Sequence, residues 1–198
     1  MSLPVLTNVV QKIEPILAAE AETEYHFFDI EKQIMKHLHN AQKVTACHYV
    51  LTNKKIIAQL CRIPEVCICI YSVNWSERWY RHIDLLEKLM LKNRNNRHSG
   101  VLQVGHHKKR SDRTQSLMHS KFTIIHDESG PYKVLVGSYN MSHNANRNIE
   151  NLSIIHSRTV AEHFQRQFEA VRDLSREIPE LKTWVEQTTN LERYFPDQ

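Results

Sequence analysis

Between His119 and Ile155 the chain reads HSKFTIIHDESGPYKVLVGSYNMSHNANRNIENLSII, with polar residues set at the ends of apolar runs. Side chains of an extended segment alternate between faces, so His119 and Lys121 point the same way. A nucleophile candidate and a fixed cation then share one surface. Farther along, Gly137-Ser138-Tyr139-Asn140 forms a small-residue turn after a strand, with Ser138 and Asn140 again on one face. Their uncharged groups can hydrogen-bond an oxyanion. Asn148 and Glu150 follow, and a carboxylate there can orient an imidazole. Taken singly, a His-x-Lys pair is usually the polar face of a strand and Gly-Ser-x-Asn is usually a turn. Their ordered combination in one stretch is what points to chemistry.

These residues need elements to position them. From Asp29 to Ala41, Ile30, Ile34 and Leu38 recur every fourth position after an Asp able to cap the first turn, which predicts an amphipathic helix. Val44–Leu51 reads as a strand, and Thr52-Asn53 can cap a helix through Ile56, Ile57 and Leu60. Val66–Tyr71, the run VCICIY, reads as a fully buried strand. Trp75–Leu91 carries a second long helical pattern through Trp79, Ile83, Leu86 and Met90. Further strands are expected at Val101–Val104, Lys121–Ile125, Lys133–Val136 and Leu152–Ile155, and a helix at Thr159–Leu174 with Val160, Phe164, Phe168 and Val171 on one face. This alternation predicts a layered α/β/α domain with a central mixed sheet.

At 198 residues and 41% hydrophobic composition the chain suits one domain with a core of its own. We divide it into an N-terminal extension of helical character over 1–26, a catalytic domain over 27–176 and a tail over 177–198, with a short helix around Leu181, Trp184 and Val185. Lys and Arg number 26 against 22 Asp and Glu, a formal charge of +4, and 13 histidines can add to it toward pH 6. That balance fits a polyanionic partner without identifying one. No signal-peptide pattern opens the sequence, and no run approaches the roughly 18 apolar residues of a membrane helix. The expectation is a soluble protein. Cys47, Cys61, Cys67 and Cys69 fall in one apolar stretch, where buried free thiols are commoner than bridges, which places the protein in a reducing, cytoplasmic compartment.

The compound pattern resembles the phospholipase D superfamily, whose motif runs His-x-Lys, four residues, Asp, then Gly-Ser-x-Asn and a downstream Asn-x-Glu. Here these are His119, Lys121, Gly137, Ser138, Asn140, Asn148 and Glu150. The upstream segments NAQK, HYVLTN and VCICIY look like the first half of the same domain, so the resemblance covers roughly Phe27 to Arg172. It departs at one place, where the family's Asp falls on His126 and the nearest carboxylate is Asp127. Either a one-residue bulge brings Asp127 into that supporting role, or His126 replaces it.

The resemblance implies attack of a neutral imidazole on phosphorus, with a second histidine protonating the leaving oxygen and then activating water. His119, Lys121, Ser138, Asn140, Glu150 and Asp127 are the implied catalytic set, with Asn148 beside the substrate. Cations and amides would neutralise the developing charge, so the resemblance implies no cofactor and no metal. The residues agree: His37 and His39, two apart on a helix, do not face each other, and Cys67 and Cys69 lack a second ligand pair. One motif in a two-histidine reaction implies a two-fold homodimer sharing the site. Gly105–Ser116, GHHKKRSDRTQS, reads as a basic loop whose His106, His107, Lys108, Lys109, Arg110 and Arg113 can grip a phosphate backbone, although exposed basic loops are also common solvent-facing segments. The expected function is therefore a nuclease acting on DNA or RNA. The alternatives are a phospholipase acting on phosphatidyl groups such as cardiolipin, which calls for an exposed apolar rim that the sequence does not display, and a nucleic-acid binder that has lost turnover.

Overall fold

The computed structural model describes residues 21–71, 88–89, 100–104 and 118–177. Among them run β1 (Glu22–His26), α1 (Ile30–Leu38), β2 (Lys43–His48), α2 (Lys54–Leu60), β3 (Glu65–Tyr71), β4 (Gly100–Val104), β5 (Lys121–Asp127), β6 (Gly130–Gly137), β7 (Leu152–His156), α3 (Arg158–Asp173) and β8 (Arg176–Glu177). The strands form one sheet in the order β1-β7-β6-β5-β2-β3-β4-β8. Among the described strands, only β2, β3 and β4 pair in parallel, whereas the remaining neighbours are antiparallel.

Alternation along β2 builds both faces of this mixed sheet. Val44 and Ala46 turn toward α1 and α2, joining Ile30, Ile34, Leu38, Ile56, Ile57 and Leu60, while Cys47 turns toward α3 with Phe122, Ile124, Phe168 and Val171. The result is the expected α/β/α layering. Large aliphatic side chains in both layers exclude water, and all four cysteines, three of them buried, are free thiols. No helix among the described residues is long and apolar enough to cross a membrane.

Several expectations shift in detail. Asn53 does cap α2, its side-chain oxygen accepting from the Lys55 and Ile56 amides at 3.0 and 3.3 Å. Asp29 makes no such bond: at φ 53° it is left-handed, and its carboxylate is not aimed at the first-turn amides. The strand expected to reach Leu51 stops at His48, and Leu51 instead bridges Met141. Helical character does not extend over Glu22–His26, because these residues hydrogen-bond to β7 as an edge strand. At the other end Arg176–Glu177 completes the opposite edge against β4. The helix expected over Trp75–Leu91 lies outside the described residues apart from Lys88 and Leu89, which are helical. The tail helix lies outside them altogether.

Three histidines are held as neutral rings, His48 and His126 buried and His37 half-buried, each below the usual 6.5. His37 is pushed down to about 4 by burial and by Lys133 beside it, His48 to about 3 by burial and Lys121, and His126 to about 4 by burial and Lys43. Because the folded values lie below the unfolded one, their stabilising effect is complete above pH 6.5 and is lost as pH falls toward 4. Each ring should then contribute a slope approaching about 1.4 kcal/mol per pH unit. Urea melts between pH 7 and pH 4.5 should show stability falling steadily, with a shallower fall in His37→Gln. A flat profile across that range would contradict the neutral burial of these rings.

Candidate active site

The sheet register sets the geometry of the site. His26, Leu152, Gly137, Lys121, His48, Ile70, Gln103 and Arg176 form one row across all eight strands, Lys121 standing beside Gly137 because Phe122 pairs with Val136. At this row, or one residue past it in β3 and β4, every strand either ends or begins. His119, Ser138, Asn140, Tyr49 and Glu150 all lie on the connections that leave it, so residues far apart in sequence meet at one end of the sheet.

Lys121 opens β5 and is only 9% exposed. Its ammonium donates to the His119 carbonyl at 2.9 Å and lies 3.2 and 3.3 Å from the two nitrogens of the His119 ring. Burial pushes the Lys121 ammonium below the usual lysine range, and the charge of Glu150 opposes that. His119 itself is exposed. The expected pairing of imidazole and cation is therefore a direct contact.

The Gly-Ser-x-Asn turn is tied to the Asn-x-Glu segment. A Cβ on Gly137 would stand 2.1 Å from the Asn151 carbonyl oxygen, so only glycine permits this approach of the two backbones. The approach lets the Ser138 amide donate to both the backbone and the side-chain oxygen of Asn151, each at 3.2 Å, while the Asn151 amide donates to Ser138 Oγ at 3.0 Å. Ser138 Oγ in turn donates to Glu150, whose other oxygen accepts from Asn148 Nδ2 at 3.2 Å. Ser138, Asn148 and Glu150 are thus one hydrogen-bonded unit. Asn140 is half-buried, and its Oδ1 is buried without a hydrogen-bond partner among the described residues.

A second network holds this turn to the helices. Tyr139 Oη donates to Asn146 Oδ1 at 2.6 Å, and Asn146 and Asn53 both donate to Glu31 at 2.7 and 2.6 Å, with Lys55 on the other oxygen at 2.7 Å. Burial acts to raise the Glu31 carboxyl, but these donors together hold it down to about 2. The Thr52 and Asn53 amides also donate to the Met141 carbonyl at 2.7 and 2.9 Å. No motif announced Glu31 or Asn146, and Asn53 was legible only as the cap of α2, because each reaches this turn through a partner distant in sequence.

Two further residues beside the cluster were not foreseen. His48, paired with Lys121 in the sheet, is buried with Nε2 2.9 Å from Thr123 Oγ1. Tyr49 meets the His119 ring edge to face at 4.8 Å and stacks on Tyr71 at 5.4 Å. The segment HYVLTN holds both, but only the register of β2 against β5 reveals their place.

Asp127 does not join the cluster. It closes β5 at the end opposite Lys121, exposed and paired with Arg158. A register shift does fall between Ile125 and His126, where Ile125 pairs with Lys133 and His126 with Pro131, but the additional residue is Tyr132 on β6. The bulge therefore leaves Asp127 outside. His126 is the buried residue at that position, and its Nε2 lies 2.9 Å from Thr45 Oγ1. Gln165 Nε2 donates to Glu169 at 3.0 Å, which turns Gln165 Oε1 to accept from the Thr45 hydroxyl at 2.7 Å. Thr45 must then accept from His126, which fixes the proton on Nε2. His126 thereby links β5, β2 and α3 far from His119.

His107, Lys108, Lys109 and Arg110 lie outside the described residues, although β4 ends at Val104 on the site's side of the sheet. Among the described residues no group of three or more His, Cys, Asp or Glu side chains is placed to hold a metal ion. Among the described residues, four large hydrophobic side chains, Tyr25, Phe27, Phe28 and Ile149, are exposed. Phe27 and Phe28 follow His26, and Ile149 precedes Leu152, so an apolar rim lies at the site end of β1 and β7. No pattern in the sequence marks it, since exposure depends on packing between distant segments.

Residues 31–172 match the family described as cardiolipin synthase, PLD-like domain. Comparison with curated proteins by sequence gives no match. Among solved structures, the chain is similar to a phospholipase D family member, Nuc from Salmonella typhimurium, at 17% identity and a TM-score of 0.60 over 81% of this chain and 100% of that one. NucT from Helicobacter pylori gives 18% and 0.61 over 80% and 100%. Phosphatidylserine synthase from Haemophilus influenzae gives 15% and 0.55 over 96% of this chain and 50% of that one. At such identities these likenesses show the fold.

The two residues at the departure from the motif should behave oppositely. His126→Ala leaves the Thr45 hydroxyl without its donor and should cost about 1–3 kcal/mol of stability. Asp127→Ala removes an exposed ion pair and should scarcely move the melting temperature. Thermal denaturation of both variants checks the order, and a larger loss for Asp127→Ala would reverse the assignment.

Proposed function

Because the chain belongs to the cardiolipin synthase, PLD-like domain family, we propose that it is a phosphodiesterase acting through a phosphohistidine without a bound metal, with nucleic acid as its substrate. The observation that carries this reading is the buried Lys121 ammonium against the ring of His119, with Glu150 close enough to act on its charge. An imidazole nitrogen of His119 attacks phosphorus, and a P–N bond forms as the P–O bond to the leaving group breaks. The leaving oxygen takes a proton from a second imidazole. Water then gives its proton to that imidazole and attacks the phosphohistidine, releasing a phosphomonoester and free His119.

Lys121 and the amide of Asn140 are suited to the negative charge that builds on the phosphoryl oxygens. The donor would be Asn140 Nδ2, on a half-buried side chain whose Oδ1 has no partner among the described residues. Glu150 orients Ser138 and Asn148 through its two oxygens. The chain carries one such motif, so the second imidazole is assigned to His119 of another copy in a two-fold homodimer.

Nucleic acid is favoured by the basic composition of the segment 105–116, which follows β4 in sequence, and by the resemblance to single-motif endonucleases. A phospholipid substrate is the second reading, favoured by one observation, the exposed rim of Tyr25, Phe27, Phe28 and Ile149. Exposed aromatic and aliphatic groups beside a phosphodiester site suit acyl chains at a bilayer surface.

Incubation with labelled single- and double-stranded DNA, RNA and phosphatidylglycerol or cardiolipin vesicles, each with and without EDTA, should show cleavage of nucleic acid that persists in EDTA. His119→Ala should abolish it with the fold intact. Lipid turnover alone would establish the second reading, and binding without turnover would leave a nucleic-acid-binding protein. Near-normal activity in His119→Ala would remove the mechanism.

The homodimer has its own check. Wild-type chains mixed with His119→Ala chains should form heterodimers with strongly impaired turnover, because one imidazole of the shared site is missing. Light scattering that shows a fully active monomer would contradict the shared site.

A further inference from the structure

His119 precedes β5 with its side chain exposed, so neither the sheet nor the hydrophobic core fixes its rotamer. Among the described residues, the Lys121 ammonium and the Tyr49 ring meet its imidazole. Tyr49 is the first residue beyond β2, delivered to this place because His48 pairs with Lys121 across the sheet. Its ring meets His119 at 4.8 Å between centroids with 64° between planes, the edge-to-face arrangement that aromatic quadrupoles prefer. Tyr71, buried at the end of β3, stacks on Tyr49 at 5.4 Å and 16°. The Lys121 ammonium lies 6.0 Å from the centre of the Tyr49 ring, at the outer reach of a cation–π contact. The chain of support therefore runs from a core strand through Tyr71 and Tyr49 to the imidazole.

We infer that Tyr49, braced by Tyr71, is a positioning residue that holds the His119 imidazole beside the Lys121 ammonium in readiness for attack on phosphorus. This role rests on the proposed attack by His119. Tyr49 takes no proton and forms no bond with the substrate. Without the ring, an exposed histidine samples its staggered χ1 wells, and only part of the population presents its nitrogen to phosphorus. The loss should fall on the chemical step, with binding preserved. A residue that only filled space would instead affect folding and leave the split between kcat and KM without pattern.

The test uses the full chain with Tyr49→Phe, Tyr49→Leu and Tyr71→Leu. Two quantities are read: hydrolysis of bis(4-nitrophenyl) phosphate, and the ring-proton NMR signals of His119, identified by their loss in His119→Asn. Tyr49→Phe keeps the ring and should match wild type in both. Tyr49→Leu should move the His119 signals away from their ring-current-shifted position and lower kcat roughly threefold to tenfold at unchanged KM. Tyr71→Leu should do the same more weakly, and it carries the test if Tyr49→Leu does not fold. Unmoved His119 signals in the folded leucine variants, an unchanged kcat, or equal damage from Tyr49→Phe would overturn the proposal. If wild type itself shows no turnover, the phosphodiesterase reading fails for this substrate, and the NMR signals still decide whether Tyr49 holds His119.

Discussion

The site is organised around an ammonium group taken out of water at the end of a β-sheet. Moving a cation into such a place costs several kcal/mol unless partners replace its hydration. Lys121 finds a carbonyl oxygen and the ring of His119 within hydrogen-bond reach, and the charge of Glu150 nearby. Its influence extends to the next strand, where His48 is kept neutral by burial and by this same charge. No full counter-charge is bonded to Lys121 among its described contacts, so an anion that reaches the cluster completes its partners. A phosphodiester is such an anion, and the nucleophile candidate already stands beside the cation.

Holding the other half of the cluster in place is a matter of backbone contact. Gly137 lets β6 approach Asn151 more closely than any side chain would allow, and the paired bonds between Ser138 and Asn151 follow from that approach. Glu150 is thereby fixed by Ser138 on one oxygen and Asn148 on the other. Glu31 does the equivalent work from the helix side through Asn53 and Asn146. A turn that would otherwise be free is thus tied to the sheet and to two helices.

The replacement at position 126 shows how the fold absorbs a departure from the motif. A carboxylate buried there would need hydrogen-bond donors, whereas a neutral imidazole donates to Thr45, and Thr45 donates onward to Gln165. The substitution is satisfied by neighbours on β2 and α3, in the wall of the domain and away from the reacting end. The familiar sequence position and the nearest acid, Asp127, are consequently separable, one internal and one exposed.

Much of this was legible in the residues themselves. Period-two and period-four apolar patterns located β3, β5, β7 and α3 within a residue or two, because burial of one face is written directly into spacing. Order and type in HSK, GSYN and NIE were enough to identify the family and to point to His119, Lys121, Ser138, Asn140 and Glu150 as candidates, which the fold brings to one end of the sheet. Edge strands β1 and β8 were not legible, since their hydrogen bonds depend on which neighbour is available and their side chains carry no strong pattern. Nor was the choice between His126 and Asp127, because it depends on His126 facing Thr45 across the β2 register while Asp127 ends the strand exposed. The residues by themselves determined which chemical groups are candidates for this site. Tertiary structure alone decided that Tyr49, Tyr71 and Glu31 support them and that Asp127 does not, because such contacts arise from strand register, and register is a relation between distant segments that no single segment contains.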